Sequence, residues 1–342
     1  MNNSDPENII IRLPNWLGDA VMATPFLHIA RKVFPRSRIV VAGKPLATGI
    51  LKNFPGLDER WDIYTKQKRN PRSFTARLRK NRFQMGILLP NSFRSALEFF
   101  LGKVRERVGY SLDIRSILLN HPMIPGPEIM EKHMVEYYIN LLKDYTDTAK
   151  YQRRLCLYPH SEDKTETAKM LEENGWDGSS RLVGVNPFAY QWVTKRWFPD
   201  RFAELCNRLM EDFRVQCVFT STERDRPLFE KIKTMISRPV IDLVGKCRPA
   251  SLPALFEHYS LFITNDSGLM HVAAAADIPI VAIFGPTDFR RTAPWSDKAT
   301  LIRKELDHPP CMNPNCRRAF ECMDKISVKE VFEAAAKELQ RQ

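Results

Sequence analysis

The sequence predicts an α/β protein of two domains, each organised on a mostly parallel sheet. Three observations carry this. Short apolar runs rich in β-branched residues alternate with helical stretches along most of the chain. The alternation fades after Asn120 and restarts at Leu182. At 342 residues the chain is also long for a single hydrophobic core.

In order, residues 9–13 read as a first strand, PNWLGD as the turn after it, and 20–34 as a helix with Val21, Phe26, Ile29, Ala30 and Val33 on its apolar side. Strands follow at 38–42 and 85–89, with helical stretches at 45–53 and 72–81. Pro122, Pro125, Gly126 and Pro127 break the pattern, and 131–142 resumes as a helix. Residues 145–165 read as a linker. Beyond it come strands at 182–186 and 215–220, helices at 202–210 and 227–236, and a closing helix at 328–340. Neither a short tandem repeat nor a low-complexity tract is visible.

The most informative stretch is 261–286, LFITNDSGLMHVAAAADIPIVAIFGP. Residues 261–264 and 280–284 suit strands buried on both faces, and Leu269, Val272, Ala273 and Ala276 recur at helical spacing between them. Such a unit leaves a helix N-terminus at the carboxyl edge of the sheet, where ligands of open α/β sheets bind. Unpaired N–H groups and a partial positive charge there favour phosphate, and Gly268 admits close approach. An ordinary capped helix in an unliganded protein fits the same residues.

Composition narrows the classes. An apolar share of 44% with 27% charged residues describes a globular protein that folds in water. Residues 1–8 are polar, and no apolar stretch reaches the roughly 18–20 residues of a membrane span. A cytoplasmic location is therefore expected. Net charge is +12, and its placement is uneven: residues 1–150 hold 24 Lys and Arg against 14 Asp and Glu. The 60–115 segment alone has 14 basic and four acidic residues, so it should face something anionic or be a solvated basic face. Nucleic acid, a membrane surface and a phosphorylated lipid all fit. No nucleic-acid motif or interleaved aromatic platform accompanies the charge, which argues against nucleic acid. Residues 95–107, with Leu97, Phe99, Phe100, Leu101 and Val104 beside Lys103 and Arg105, suit either a buried helix or an interfacial one. Seven cysteines do not suggest a disulfide scaffold, and Cys311, Cys316 and Cys322 behind His308 lack the CxxC pair of common zinc sites.

NDSGLMHVAAA with its following strand and FGPT resembles the nucleotide-sugar motif of the ADP-heptose:lipopolysaccharide heptosyltransferases. RLPNWLGDAVMATP, LPNSFRSAL and KRWFPDRFAEL resemble the same family in order and spacing, and LPNSFRSAL points to its members that transfer the second heptose. The resemblance covers nearly the whole chain. It implies the GT-B type of glycosyltransferase, two facing Rossmann-like domains with a cleft between them. Residues 1–160 would bind acceptor and 161–325 would bind ADP-heptose, with 326–342 as a helix packing back on the first domain. The implied reaction is inverting transfer of heptose to the first heptose of the lipopolysaccharide inner core. Alternatives are transfer onto Kdo-lipid A, a nucleotide-sugar epimerase, or a nucleic-acid-binding protein. No cofactor or metal is demanded, and the enzyme would work at the anionic surface of the inner membrane.

The resemblance also assigns residues. Asp19, after Gly18 at the start of the first helix, would be the general base for the acceptor hydroxyl, although an Asp there also suits a helix cap. Lys195 would neutralise the departing diphosphate. Its loop departs from the family, having Pro187, Phe188, Ala189 and Tyr190 where relatives are Gly-rich. Glu223 would take the ribose hydroxyls, with Asp225 as substitute. Asp266 would meet the sugar or order its loop, and Ser267 and Gly268 would donate to phosphate. His271 is either a ligand-facing or a core histidine. Asn15, Trp16, Asn91, Ser92 and Arg94 would bind the acceptor.

Overall fold

The computed structural model describes residues 6–64, 71–190, 192–315, 318 and 320–341. The chain forms two compact units, Met1–Tyr158 and Pro159–Gln342. The first holds strands β1 Asn8–Arg12, β2 Arg38–Gly43, β3 Glu59–Asp62, β4 Met85–Leu88, β5 Glu106–Tyr110 and β6 His121–Met123, in the order β3-β2-β1-β4-β5-β6. The second holds β7 Leu182–Asn186, β8 Gln216–Phe219, β9 Ile241–Asp242, β10 Tyr259–Asn265, β11 Ile280–Ile283 and β12 Ala299–Ile302, in the order β12-β11-β10-β7-β8-β9. Counted from its own first strand, each unit has the same order, that of a Rossmann sheet. Every described strand pairing is parallel.

Parallel neighbours need a long crossover, so helices cover both faces and the central strands are buried throughout. All five residues of β7 and all four of β11 are buried. One core gathers Val40, Trp61, Phe74, Phe83 and Phe99 in the first unit; another gathers Val183, Trp197, Phe202, Phe219, Ile263 and Val281 in the second. Gly184 of β7 lies opposite Phe262 of β10, and a Cβ there would stand 2.6 Å from the Phe262 ring. Only a missing side chain lets that ring lie against the sheet.

Several boundaries differ from the sequence reading. The first helix is two pieces, Leu17–Met22 and Thr24–Val33, because Pro25 in the second has no N–H to continue the ladder. The helix expected over 95–107 is Phe93–Leu101; Lys103 turns the chain at φ 55° and β5 follows. The helix expected from 131 begins at Met134, where the His133 side chain caps the Val135 N–H, and ends as a 3₁₀ turn at Asn140–Leu142. The 145–165 linker already contains the start of a helix, Ser161–Glu173. β3, β6, β9 and β12 escaped the reading because edge strands are short and only partly apolar, and internal β5 escaped it because ERVGY opens on two charged residues.

The closing helix Val328–Gln340 is where the sequence placed it, and it belongs to the second unit. Val331, Ala335 and Leu339 enter the second unit's core beside Leu209 and Ile263. Its amphipathic stripe is thereby used within its own unit. A capping box starts it: Ser327 Oγ accepts from the Glu330 N–H and the Glu330 carboxylate accepts from the Ser327 N–H at 2.9 Å. Lys304 also bonds that carboxylate and is the main reason its pKa falls to about 2. With a folded pKa below the ordinary 4.5, this contribution is complete above pH 4.5 and is lost as pH falls through about 2. We expect Ser327→Ala to cost about 1 kcal/mol of second-unit stability. Denaturant unfolding at neutral pH measures it, and an unchanged midpoint would show that the cap contributes nothing.

Candidate functional site

In each unit the strand order reverses between two neighbours, β1 and β4 in the first, β7 and β10 in the second. Loops leaving the carboxyl ends of those pairs run apart and open a crevice. The first crevice receives the segments 13–19 and 89–94, and the second receives 187–195 and 266–271. These segments contain all the expected site residues except Glu223.

In the first unit Asp19 stands in the first turn of Leu17–Met22, half-buried, and is not the helix cap. That position belongs to Trp16, whose backbone is extended and whose side chain makes no capping bond. The buried Tyr138 hydroxyl donates to Asp19 Oδ1 at 3.2 Å, which fixes the carboxylate's direction. Trp16 is half-exposed, with Lys44 Nζ 5.4 Å from its ring centroid. Asn15 Oδ1 accepts from Nη2 of Arg12 at 2.9 Å, and Arg12 is buried at the end of β1, where desolvation lowers its pKa.

The residues after β4 divide by role. Asn91 is held at both ends of its amide, donating to the Tyr137 hydroxyl at 2.7 Å and accepting from Nη2 of the buried Arg115 at 3.3 Å. Ser92 is exposed and caps Phe93–Leu101 through the Ser95 N–H. Arg94 is exposed and held rigidly: Nε meets Glu98 Oε1 at 3.0 Å, and the guanidinium lies 4.2 Å from the Tyr64 ring centroid. Burial and the Glu98 hydrogen bond push the Tyr64 pKa up to about 12. Sequence reasoning missed Arg12, Tyr64, Glu98, Arg115 and Tyr138. Of these, only Arg12, inside RLPNWLGD, lies in a motif quoted for the family resemblance; Tyr64, Glu98 and Arg115 fall in the 60–115 segment, which is read for its charge without singling them out.

In the second unit Lys195 lies on the 3₁₀ turn Val193–Lys195 after β7. Its Nζ is 2.8 Å from Asp266 Oδ2, with the two side chains 22% and 6% exposed. Thr287 donates to the same oxygen at 2.6 Å. Asp266 thereby joins the loop after β10 to Lys195 and Thr287. Asn265 ties the loops together, its Oδ1 accepting from the Trp197 N–H at 3.1 Å and its Nδ2 donating to the Pro187 carbonyl at 2.8 Å. Ser267 caps Gly268–Ala275 with an extended backbone and accepts from Nδ2 of Asn186 at 2.6 Å. His271 is buried on that helix.

Glu223 follows β8, next to β7, and is exposed; its Oε2 is 3.3 Å from Nη2 of Arg226. Gly245, at φ 76°, passes so close that a Cβ there would be 2.2 Å from Glu223 Oε2. Asp225 is turned inward, accepting from Ser221 and from Thr222 Oγ1 at 3.0 Å, and Glu223 is the more exposed of the two, with both of its oxygens accepting from Arg226 at 3.3 Å. A cavity of about 290 Å³ lies at the carboxyl ends of β11 and β12, lined by Phe284, Pro286, Thr287, Arg303, Lys304 and His308 among others. Thr287 links it to Asp266. Among the described residues no group of His, Cys, Asp and Glu could hold a metal ion, and Cys316 lies outside them.

Two Rossmann-like units with polar crevices at their switch points are the architecture of the GT-B type of glycosyltransferase. Residues 71–320 match the profile of Glycosyltransferase family 9 (heptosyltransferase), and the chain belongs to that family. It is 26% identical over 336 residues to lipooligosaccharide heptosyltransferase 2 of Campylobacter jejuni subsp. jejuni serotype O:6, covering 96% of this chain and 98% of that one. The structure of E. coli ADP-heptose LPS heptosyltransferase II aligns with TM-score 0.82 and 25% identity, over 98% of this chain and 99% of that one. A glycosyltransferase family 9 structure from Veillonella parvula has the same fold, with TM-score 0.89 at 22% identity over 99% of each chain.

The Lys195–Asp266 pair is the testable centre of the second crevice. A double-mutant cycle with Lys195→Met and Asp266→Asn should give a coupling of about 1–3 kcal/mol in unfolding free energy. Additive effects would mean that the pair does not fix the lysine.

Proposed function

We propose that this enzyme transfers heptose from ADP-L-glycero-D-manno-heptose, with inversion, to the first heptose of the lipopolysaccharide inner core. Support for the acceptor comes from the relatives named heptosyltransferase 2 and from LPNSFRSAL. The observation that carries the mechanism is Lys195, pinned on Asp266 beside the N-terminus of Gly268–Ala275. A cation and a helix N-terminus at one sheet edge suit a diphosphate, which gains negative charge as the glycosidic bond to heptose breaks. Glu223, exposed beyond the neighbouring strand, takes the ribose hydroxyls. Gly268 and Ser267 supply N–H donors, and His271 supports that helix from within.

Asp19 takes the proton of the attacking hydroxyl in this reading. Tyr138 holds its carboxylate in one direction, which gives a weak base the benefit of position. Trp16, Asn15, Asn91, Ser92 and Arg94 form the acceptor side, with Arg94 the group best placed for an anionic substituent. The reaction needs no cofactor in this scheme, because Lys195 and backbone N–H groups meet the diphosphate charge. The acceptor is membrane-anchored, so the enzyme works from the cytoplasm at the anionic inner-membrane surface.

Defined acceptors carrying zero, one or two heptoses test the reaction directly. Product is expected with one heptose; product only with the heptose-free acceptor would assign the enzyme to the first transfer. Asp19→Asn should lower kcat by roughly 10²-fold or more with ADP affinity nearly unchanged. Near-normal turnover would remove Asp19 from the chemistry. Lys195→Ala should lower kcat and weaken ADP binding, whereas EDTA should change neither; a large EDTA effect would require a metal in the mechanism.

A further inference from the structure

The first unit carries an apolar surface that its own core does not use. The helix Phe93–Leu101 and the 3₁₀ turn Asp113–Leu118 pack side by side, covering β4 and β5. Their inward residues are buried: Phe99 and Ala96 from the helix, Arg115 and Leu118 from the turn. Their outward residues are large and apolar. Phe100 is 48% exposed and Leu101 43%, while Ile114 and Ile117, three residues apart on one side of the turn, are 72% and 79% exposed. Arg107 joins the two elements, its guanidinium 5.4 Å from the Phe100 ring centroid and its Nε donating to the Leu118 carbonyl at 2.7 Å. Isolated exposed apolar residues are ordinary, but four large ones on two packed elements mark a contact surface.

Among the described side chains, the exposed charges beside this group are basic. Arg79 reaches it by donating to the Leu101 carbonyl at 2.7 Å, and Lys103 and Arg105 follow the helix directly, all three exposed. Of the described carboxylates nearby, Glu98 is buried and engaged by Arg94 and Tyr64, and half-buried Glu106 lies 3.9 Å from His121; the Asp113 side chain lies outside the described residues. An apolar centre with a cationic rim matches the interface of an anionic bilayer, where aliphatic and aromatic side chains enter the headgroup boundary and Lys and Arg meet phosphates. No helix among the described residues is long and apolar enough to cross a membrane, so such contact is made from outside. The helix begins immediately after Ser92, at the edge that receives the acceptor-side residues.

We infer that Phe100, Leu101, Ile114 and Ile117, rimmed by Arg79, Lys103 and Arg105, form the surface by which this protein docks on an anionic lipid bilayer. This rests on the proposed lipid-anchored acceptor and names the face that meets its membrane. Docking there holds the first crevice near the bilayer and turns a search in three dimensions into one in two.

The test is flotation of the full chain with vesicles of phosphatidylcholine containing about one-third phosphatidylglycerol, against phosphatidylcholine alone. The wild type should float with the anionic vesicles and lose most binding as salt rises from 0.15 M, where the Debye length is about 8 Å, towards 1 M. A Phe100→Ser/Ile114→Ser/Ile117→Ser variant should bind about tenfold or more weakly, since each exchange removes an apolar side chain that would otherwise leave water. An Arg79→Gln/Lys103→Gln/Arg105→Gln variant should lose binding mainly at low salt. Both should melt like the wild type, because the exchanged groups are exposed, and both should keep wild-type kcat/KM on a water-soluble acceptor while losing it on the same acceptor in vesicles. Undiminished binding by the apolar variant, or equal wild-type binding to neutral vesicles, overturns the inference. A wild-type dimer that the apolar variant dissociates does so too, by giving the face to a second copy of the chain. Failure of the transfer reading is seen separately, as no product on the soluble acceptor while flotation still reads docking.

Discussion

A pair of adjacent parallel strands cannot be joined by a tight turn, and most of this molecule follows from that constraint. Each crossover returns the chain to the same edge of the sheet, so every strand leaves its loop at the carboxyl side. With the order β3-β2-β1-β4-β5-β6, and its counterpart in the second unit, the crossovers diverge from one pair of neighbours in each sheet. Asn15, Trp16 and Asp19 follow β1, and Asn91, Ser92 and Arg94 follow β4. Lys195 follows β7, while Asp266, Ser267, Gly268 and His271 follow β10. Motifs far apart in sequence are thus brought together by topology before any side chain makes a contact.

Holding those loops in place falls to buried polar side chains, because a loop at a sheet edge has backbone groups that the ladder no longer satisfies. The second unit uses asparagines. Asn186 reaches Thr264 and Ser267, and Asn265 reaches across to the Trp197 N–H and the Pro187 carbonyl, so the turns after β7 and β10 are bonded to each other. The first unit uses arginines for the same purpose, Arg12 holding Asn15 and Arg115 holding Pro90 and Asn91. Removing either kind of side chain would strand its partners out of water, which costs more than the hydrogen bond itself contributes.

Most internal strands were legible because burial on both faces demands an unbroken apolar run, as in LVGVN and IVAI, whereas internal β5, ERVGY, begins with two charged residues and was not. Edge strands such as β3, with the sequence ERWD, and β6, with HPM, carry no such run and are strands only because a neighbour offers a free ladder. The site was legible where a motif is contiguous, as in NDSG. It was not legible where it depends on partners distant in sequence: Tyr138 lies 119 residues from Asp19 and Thr287 lies 21 from Asp266. Nor does a sequence reveal which apolar residues of one helix face outwards. Phe99 and Phe100 are neighbours and chemically identical, yet the first is core, lying against Gly86 of β4 and beside Phe74, and the second, one helical step round, is surface.

The charge surplus of the first unit has to be read with the same division in mind. Arg60 donates to the Leu51 and Phe54 carbonyls, Arg107 to Leu118, and Arg115 to Tyr110, so their donors are committed to the fold. A neutral carbonyl does not cancel a guanidinium's charge, however, and each of these residues still contributes to the field outside the protein. Long-range attraction to an anionic partner can therefore draw on the whole surplus. Short-range recognition can draw only on cations whose donors point to solvent, among them Lys103 and Arg105 beside the apolar face and Arg94 beside the first crevice. The fold thus separates the charges available for short-range contact from those that act through the field alone.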